Sequence, residues 1–132
     1  MPRSLVEKGL QDATSVDGFV TADKVDRYWQ LGRRPGNRKA MRLRFTSKDR
    51  SNLYRPQLAS LNIPTLILWG REDKFVDLAE GEWFARTIPG AKMSIYENVG
   101  HLPMAEVPDL SAADTRSFLE SLPEISVTTP QT

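Results

Sequence analysis

Two short segments of the chain carry side chains whose types suit proton transfer. Gly70-Arg71-Glu72-Asp73 follows a run of apolar residues, and Asn98-Val99-Gly100-His101 follows a second apolar segment. A carboxylate can hold an imidazole in one tautomer and can stabilise the imidazolium that forms when the ring accepts a proton. A carboxylate at the first segment and the imidazole of His101 are therefore candidates for one proton-transfer site, with Glu72 and Asp77 as rivals of Asp73 for the acid.

The two segments lie where strands of a parallel sheet are predicted to end. Residues 63–69 form a short apolar run without alternation, which is typical of a strand covered on both faces. Residues 78–88 have helical spacing, and residues 92–97 are predicted as a second strand. One helix and one strand thus fit between Asp73 and His101 and return the chain beside its starting point. Since reactive groups of open α/β sheets collect beyond the carboxyl ends of strands, we expect both side chains at one edge.

Helices are predicted for most of the remaining chain. Thr21 is a good N-cap for a helix that is broken by Arg33-Arg34-Pro35-Gly36-Asn37. Pro108 is suited to the first turn of a final helix. Residues 5–10 give a weak helical pattern that Gly9 interrupts. Residues 41–45 alternate like a strand, although a helix is preferred there. Gly81 would let the helix over residues 78–88 lie close to the sheet, at a propensity cost of about 1 kcal/mol.

The residues around both segments resemble the α/β-hydrolase fold family. The resemblance rests on IPTLILWGRED over residues 63–73 and on a G-H-x4-E-x-P pattern formed by Gly100, His101, Glu106 and Pro108. In that family these are the acid turn and the histidine turn, and acid before histidine agrees with the family's chain order. The resemblance, which covers about residues 58–122, implies that Asp73 is a triad acid and His101 its general base. Glu106 is expected to bond loop amides rather than to take part in catalysis.

The expected fold class is α/β, specifically the C-terminal part of an α/β-hydrolase fold. Two parallel strands with covering helices would be preceded by a helical remnant of a cap domain. The predicted boundaries are a cap-domain remnant over residues 1–55, a βαβα portion of the core over residues 56–122, and a flexible tail over residues 123–132. The chain therefore resembles a truncated hydrolase that lacks most of its sheet.

The nucleophile is missing from the pattern. No G-x-S-x-G motif occurs, and the one histidine is already assigned, so no serine is nominated. The resemblance implies a complete enzyme that hydrolyses an ester, epoxide or related bond in a small-molecule substrate, with serine and aspartate nucleophiles both open. Trp69, at a strand end beside the two turns, is a weak candidate for substrate contact, and core packing is about equally expected for it.

A second hypothesis is that the chain is not catalytic. It would then be a relic, or a docking fragment that needs a partner to complete the sheet. A sheet of two parallel strands is too small to be stable alone, and its first strand would offer a bare hydrogen-bonding edge. That edge is also a possible route to self-association.

Composition excludes several other classes of site. The 132 residues include no cysteine and one histidine, which excludes disulfides and metal sites built on cysteine or several histidines. Triad chemistry needs no metal or organic cofactor. A net charge of +1 argues against nucleic acid as a partner. Between Arg33 and Arg50 eight basic residues face one acidic residue, but a solvated cap helix is favoured there over a phosphate-binding surface with Phe45 and Tyr54 as stacking groups.

Localisation is predicted from two absences in the sequence. No apolar run approaches the length of about 18 residues that spans a bilayer. Met1-Pro2-Arg3 is not followed by the apolar core of a signal peptide. We therefore expect a cytoplasmic protein with no membrane partner.

Overall fold

The computed structural model describes residues 2–46 and 51–123, without the side chains of residues 45 and 51–54. Four helices come first, α1 (Arg3–Ala13), α2 (Ala22–Arg33), α3 (Asn37–Thr46) and α4 (Ser51–Leu58). They are followed by β1 (Leu66–Gly70), α5 (Leu78–Thr87), β2 (Lys92–Tyr96), α6 (Pro103–Glu106) and α7 (Pro108–Glu120). The predicted tail lies outside the described residues from position 124 onward, as do residues 47–50 of the basic stretch.

In the described part of the chain, β1 and β2 form one parallel sheet. Leu66 pairs with Lys92, and Gly70 pairs with Tyr96. β1 begins three residues later than predicted. Pro64 has no N–H to donate, and Thr65 takes part through its carbonyl, which accepts the N–H of Lys92 at 3.0 Å.

Helix α5 covers one face of this sheet at close range. A β-carbon at Gly81 would lie 2.7 Å from the Trp69 ring and 2.9 Å from the Met93 methyl group. The absence of a side chain at Gly81 thus permits the close approach of helix and sheet that the sequence predicts. Asp77 begins the helix by accepting the N–H of Ala79 at 2.8 Å, which satisfies one free donor of the first turn.

The front of the chain is helical, and its first helix differs from the prediction. α1 is continuous through Gly9, because packing outweighs the low helix propensity of glycine: Leu10 and Ala13 are buried. α2 begins as predicted at Thr21, whose hydroxyl accepts the N–H of Lys24 at 3.3 Å. Val25 of α2 is only 1% exposed, and α1 and α2 pack against each other.

Candidate active site

The acid turn follows β1 and holds the carboxylate of Asp73 by both oxygens. Oδ1 accepts the N–H groups of Phe75 at 2.8 Å and Val76 at 3.0 Å. Oδ2 lies 2.8 Å from Nδ1 of His101. The carboxylate is 5% exposed, so the surrounding chain rather than solvent sets its direction.

The histidine turn follows β2 and returns the chain to the same edge of the sheet. Asn98 makes the reversal in the left-handed region, with φ of 60°. The His101 ring packs edge-on against Phe75, with the ring centroids 5.3 Å apart, and its side chain is 39% exposed. One ring nitrogen therefore points at Asp73 while part of the ring faces outward.

The electrostatics of the pair assign the ring proton. Burial raises the pKa of Asp73, but the hydrogen bonds from His101 and from the N–H groups of Val76 and Phe75 outweigh it. The pKa of Asp73 therefore lies below its ordinary value. An ionised carboxylate can only accept, so the Nδ1–H donates a hydrogen bond to Asp73, and in the neutral ring Nε2 is then the nitrogen that can accept a proton. This is the tautomer that a general base acting through Nε2 requires.

Backbone contacts join the acid turn to the histidine turn. Glu72 donates its N–H to the Val99 carbonyl at 3.0 Å, and its Oε2 accepts the Val99 N–H at 2.9 Å. A β-carbon at Gly70 would lie 2.0 Å from the Gly100 carbonyl oxygen. Only glycine allows this approach, and these contacts hold the two turns together next to the Asp73–His101 contact.

The end of α1 also contacts the histidine turn, a relation that the sequence did not predict. The His101 N–H donates to the Ala13 carbonyl at 2.7 Å. Glu106, which follows in α6, accepts the N–H groups of Ser15 at 2.7 Å and Val16 at 3.1 Å, just after α1. The expectation that Glu106 bonds loop amides agrees with this geometry, although some of these amides lie 90 residues away.

Trp69 lies on the α5 side of the sheet. Its ring packs where Gly81 leaves room, and its indole N–H is buried without a hydrogen-bond partner among the residues that the structure describes. Contact of Trp69 with a substrate stays a prediction. The stacking groups considered for the basic stretch, Phe45 and Tyr54, have side chains outside the described residues.

Neither a metal centre nor a membrane span is found in the described residues. Over residues 2–46 and 51–123, no group of three acidic or histidine side chains comes together that could hold a metal ion. None of the helices in these ranges combines the length and apolar character that crossing a bilayer requires.

Comparison with known proteins identifies relatives among lipases. The profile of the alpha/beta hydrolase fold family matches residues 3–108. Lipase 3 of Moraxella sp. (strain TA144) is 35% identical over 65 residues, which are 49% of this chain and 21% of that protein. Monoacylglycerol lipase abhd6-A of Xenopus laevis is 41% identical over 59 residues, or 45% of this chain and 18% of that protein. The aligned part of the chain thus spans only about a fifth of the length of these curated relatives.

A solved structure shows the same fold at low identity. A variant of the meta-cleavage product hydrolase from Pseudomonas fluorescens IP01 superposes with a TM-score of 0.77 at 18% identity. The superposition covers 90% of this chain and 46% of that one. Since the family profile matches well over half of the chain, including both turns, the chain belongs to the α/β-hydrolase fold family.

Proposed function

We propose that this chain supplies the acid, Asp73, and the general base, His101, of a hydrolase that cleaves an ester or related bond in a small-molecule substrate. The observation that carries the proposal is the 2.8 Å contact between His101 Nδ1 and Asp73 Oδ2 at the carboxyl edge of the sheet. The lipase names of two relatives favour an ester over the other bonds.

The roles follow from the tautomer. Nε2 of His101 would accept the proton of a serine hydroxyl, or of a water that attacks a covalent ester if the nucleophile is an aspartate. Asp73 would stabilise the positive charge that the ring then carries. The sequence contains no G-x-S-x-G motif, and the proposal names no residue of this chain as the nucleophile. We also propose that the chain divides into a helical cap-domain remnant over residues 1–55 and a portion of the hydrolase core over residues 56–122.

The single histidine makes the proposal testable without a substrate. In a ¹⁵N-labelled sample, a proton on Nδ1 that is hydrogen-bonded to a carboxylate and shielded from water gives a resolved signal far downfield of the amide protons. We expect this signal in the wild type and its loss in Asp73→Asn, since a neutral amide is a weaker acceptor.

Asp77→Asn is the matched control for this experiment. It removes the same charge four residues away and leaves a good N-cap at the start of α5. The downfield signal should persist in this variant. Absence of the signal from a folded wild-type sample, or its survival unchanged in Asp73→Asn, would contradict the proposal.

A second candidate function is docking or self-association through the free edge of β1. The Thr65 carbonyl and the Arg71 N–H both bond to β2, at Lys92 and Tyr96. In a parallel ladder alternate residues face the same neighbour, so Leu66 and Leu68 direct their backbone groups to the opposite edge. No strand among the described residues pairs with that edge.

Two measurements discriminate between the candidates. Hydrolysis of an activated ester that is faster with the wild type than with His101→Ala favours a working active site, whereas equal rates favour docking. Sedimentation at several concentrations, together with hydrogen exchange, tests the edge itself. A monomer with strongly protected amides at Leu66 and Leu68 would exclude self-association through β1.

A further inference from the structure

Glu106 has a pattern of hydrogen bonds that its place in a four-residue helix does not require. It is 7% exposed, and both of its oxygens are engaged by backbone donors. Oε2 accepts hydrogen bonds from the backbone N–H groups of Ser15 and Val16, and Oε1 accepts one from the N–H of Leu102 at 3.1 Å. The N–H of Gly100 lies 3.1 Å from both oxygens. A carboxylate offers about four acceptor positions, and donors from two loops, one near in sequence and one about 90 residues away, occupy them.

The donors from the nearer loop flank His101 on both sides. Gly100 and Leu102 bond to Glu106, and the N–H of His101 between them bonds to the Ala13 carbonyl at 2.7 Å. The backbone N–H groups of residues 100–102 are thus all bonded. The middle one bonds to the last residue of α1, and the outer two bond to Glu106, which also binds the residues that follow α1. With the backbone held in this way, the aim of the imidazole depends on two side-chain torsions, which Asp73 and the Phe75 ring limit.

We propose that Glu106 is a positioning residue for His101, and that through it the end of α1 sets where the imidazole points. This inference rests on the proposed function, since it concerns the same histidine. Glutamine in place of Glu106 would have one acceptor oxygen and one donor nitrogen. The nitrogen would face backbone donors, so at least one of the two loops would lose its partner.

The experiment compares the variants Glu106→Gln and Glu80→Gln by measuring, with NMR relaxation, how mobile the ring of His101 is in each. Glu80 lies on α5, is 42% exposed and pairs with Arg55, so its replacement removes the same charge away from both turns. Circular dichroism first checks that the Glu106→Gln variant is folded. In the folded variant we expect a lower order parameter for the His101 ring than in the wild type. We also expect exchange of its Nδ1 proton with water about tenfold faster, the factor for one lost hydrogen bond. Glu80→Gln should match the wild type.

A merely stabilising role for Glu106 predicts a different result. The unfolding midpoint would fall, but the ring of the folded molecules would be as ordered as in the wild type, and that outcome overturns the proposal. If Glu106→Gln does not fold, Glu106→Asp keeps the charge but is one methylene too short to reach both loops, and unchanged ring order there is equally decisive. A wild type with an ordered ring but no downfield Nδ1 proton would refute the Asp73–His101 pair and leave the test of Glu106 standing.

Discussion

Replacement of Gly70 by alanine tests how closely the acid turn is packed against the histidine turn. The added β-carbon would lie 2.0 Å from the Gly100 carbonyl oxygen and 2.3 Å from the Val99 carbonyl oxygen. Carbon–oxygen contacts between backbones are about 3.3 Å or longer, so the two segments would have to separate by roughly 1.3 Å. Both obstructing atoms belong to the backbone, and no side-chain rotation can relieve the overlap.

The energetic cost follows from the contacts that such a separation breaks. Glu72 and Val99 would lose their two mutual hydrogen bonds, of 3.0 and 2.9 Å, at about 1 kcal/mol each. Overpacking adds about 1–3 kcal/mol, so we expect the free energy of unfolding to fall by about 3–5 kcal/mol. With an m-value of about 2 kcal/mol/M, the urea midpoint would drop by about 1.5–2.5 M.

Two other glycines provide controls, one in open space and one packed against side chains. A β-carbon at Gly9 in α1 would meet nothing within 4 Å, so Gly9→Ala should stabilise the protein by about 0.5–1 kcal/mol. The change in the free energy of unfolding for Gly81→Ala should fall between those for Gly70→Ala and Gly9→Ala. The atoms nearest the added β-carbon belong to the side chains of Trp69 and Met93, and these side chains can shift. Urea unfolding followed by circular dichroism measures all three variants. A Gly70→Ala midpoint equal to that of the wild type would refute the inferred packing of the turns.

Three further predictions concern the core and the pH dependence of stability. Val25→Ala removes two methyl groups from a site that is 1% exposed and should lower the free energy of unfolding by about 2–3 kcal/mol, measured by urea unfolding. The pKa of Asp73 is lowered by folding, so its contribution is present above the unfolded value of about 4 and is lost as the pH falls below it. Asp73→Asn should therefore flatten the acid side of the stability curve, and an unchanged acid limb would count against the lowered pKa. Burial, and then the hydrogen bond to Asp114, raise the pKa of Tyr96 to about 12, so stability should fall between about pH 10 and pH 12. Tyr96→Phe should remove that fall if the reasoning holds.

Local signals in the sequence were sufficient for the elements that carry the two turns. The apolar run before Gly70 predicts β1, and Pro108 predicts the start of α7, because each signal acts within a few residues. α6 was not predicted, since a four-residue helix that begins with a proline is too short to show a helical period. The continuity of α1 through Gly9 was not predicted either, because it depends on the burial of Leu10, which propensity does not describe.

The environment of the site was less predictable than its two principal residues. The spacing between Asp73 and His101 leaves room for one helix and one strand, and this predicts that the chain returns to the same edge. Nothing in the local pattern indicates that the Ala13 carbonyl receives the His101 N–H, or that Ser15 shares a carboxylate with Gly100. Such contacts depend on how α1 packs against the rest of the chain, and periodicity carries no information about that.

The tie between α1 and the histidine turn has a consequence for the order in which the molecule folds. Ser15 and Glu106 are 91 positions apart, whereas Asp73 and His101 are separated by 28. Closing the longer loop costs more chain entropy, and contacts of large sequence separation slow folding. We therefore expect the strand–helix–strand unit to collapse first and the imidazole to become immobile only in the last step, when the amino-terminal helix docks.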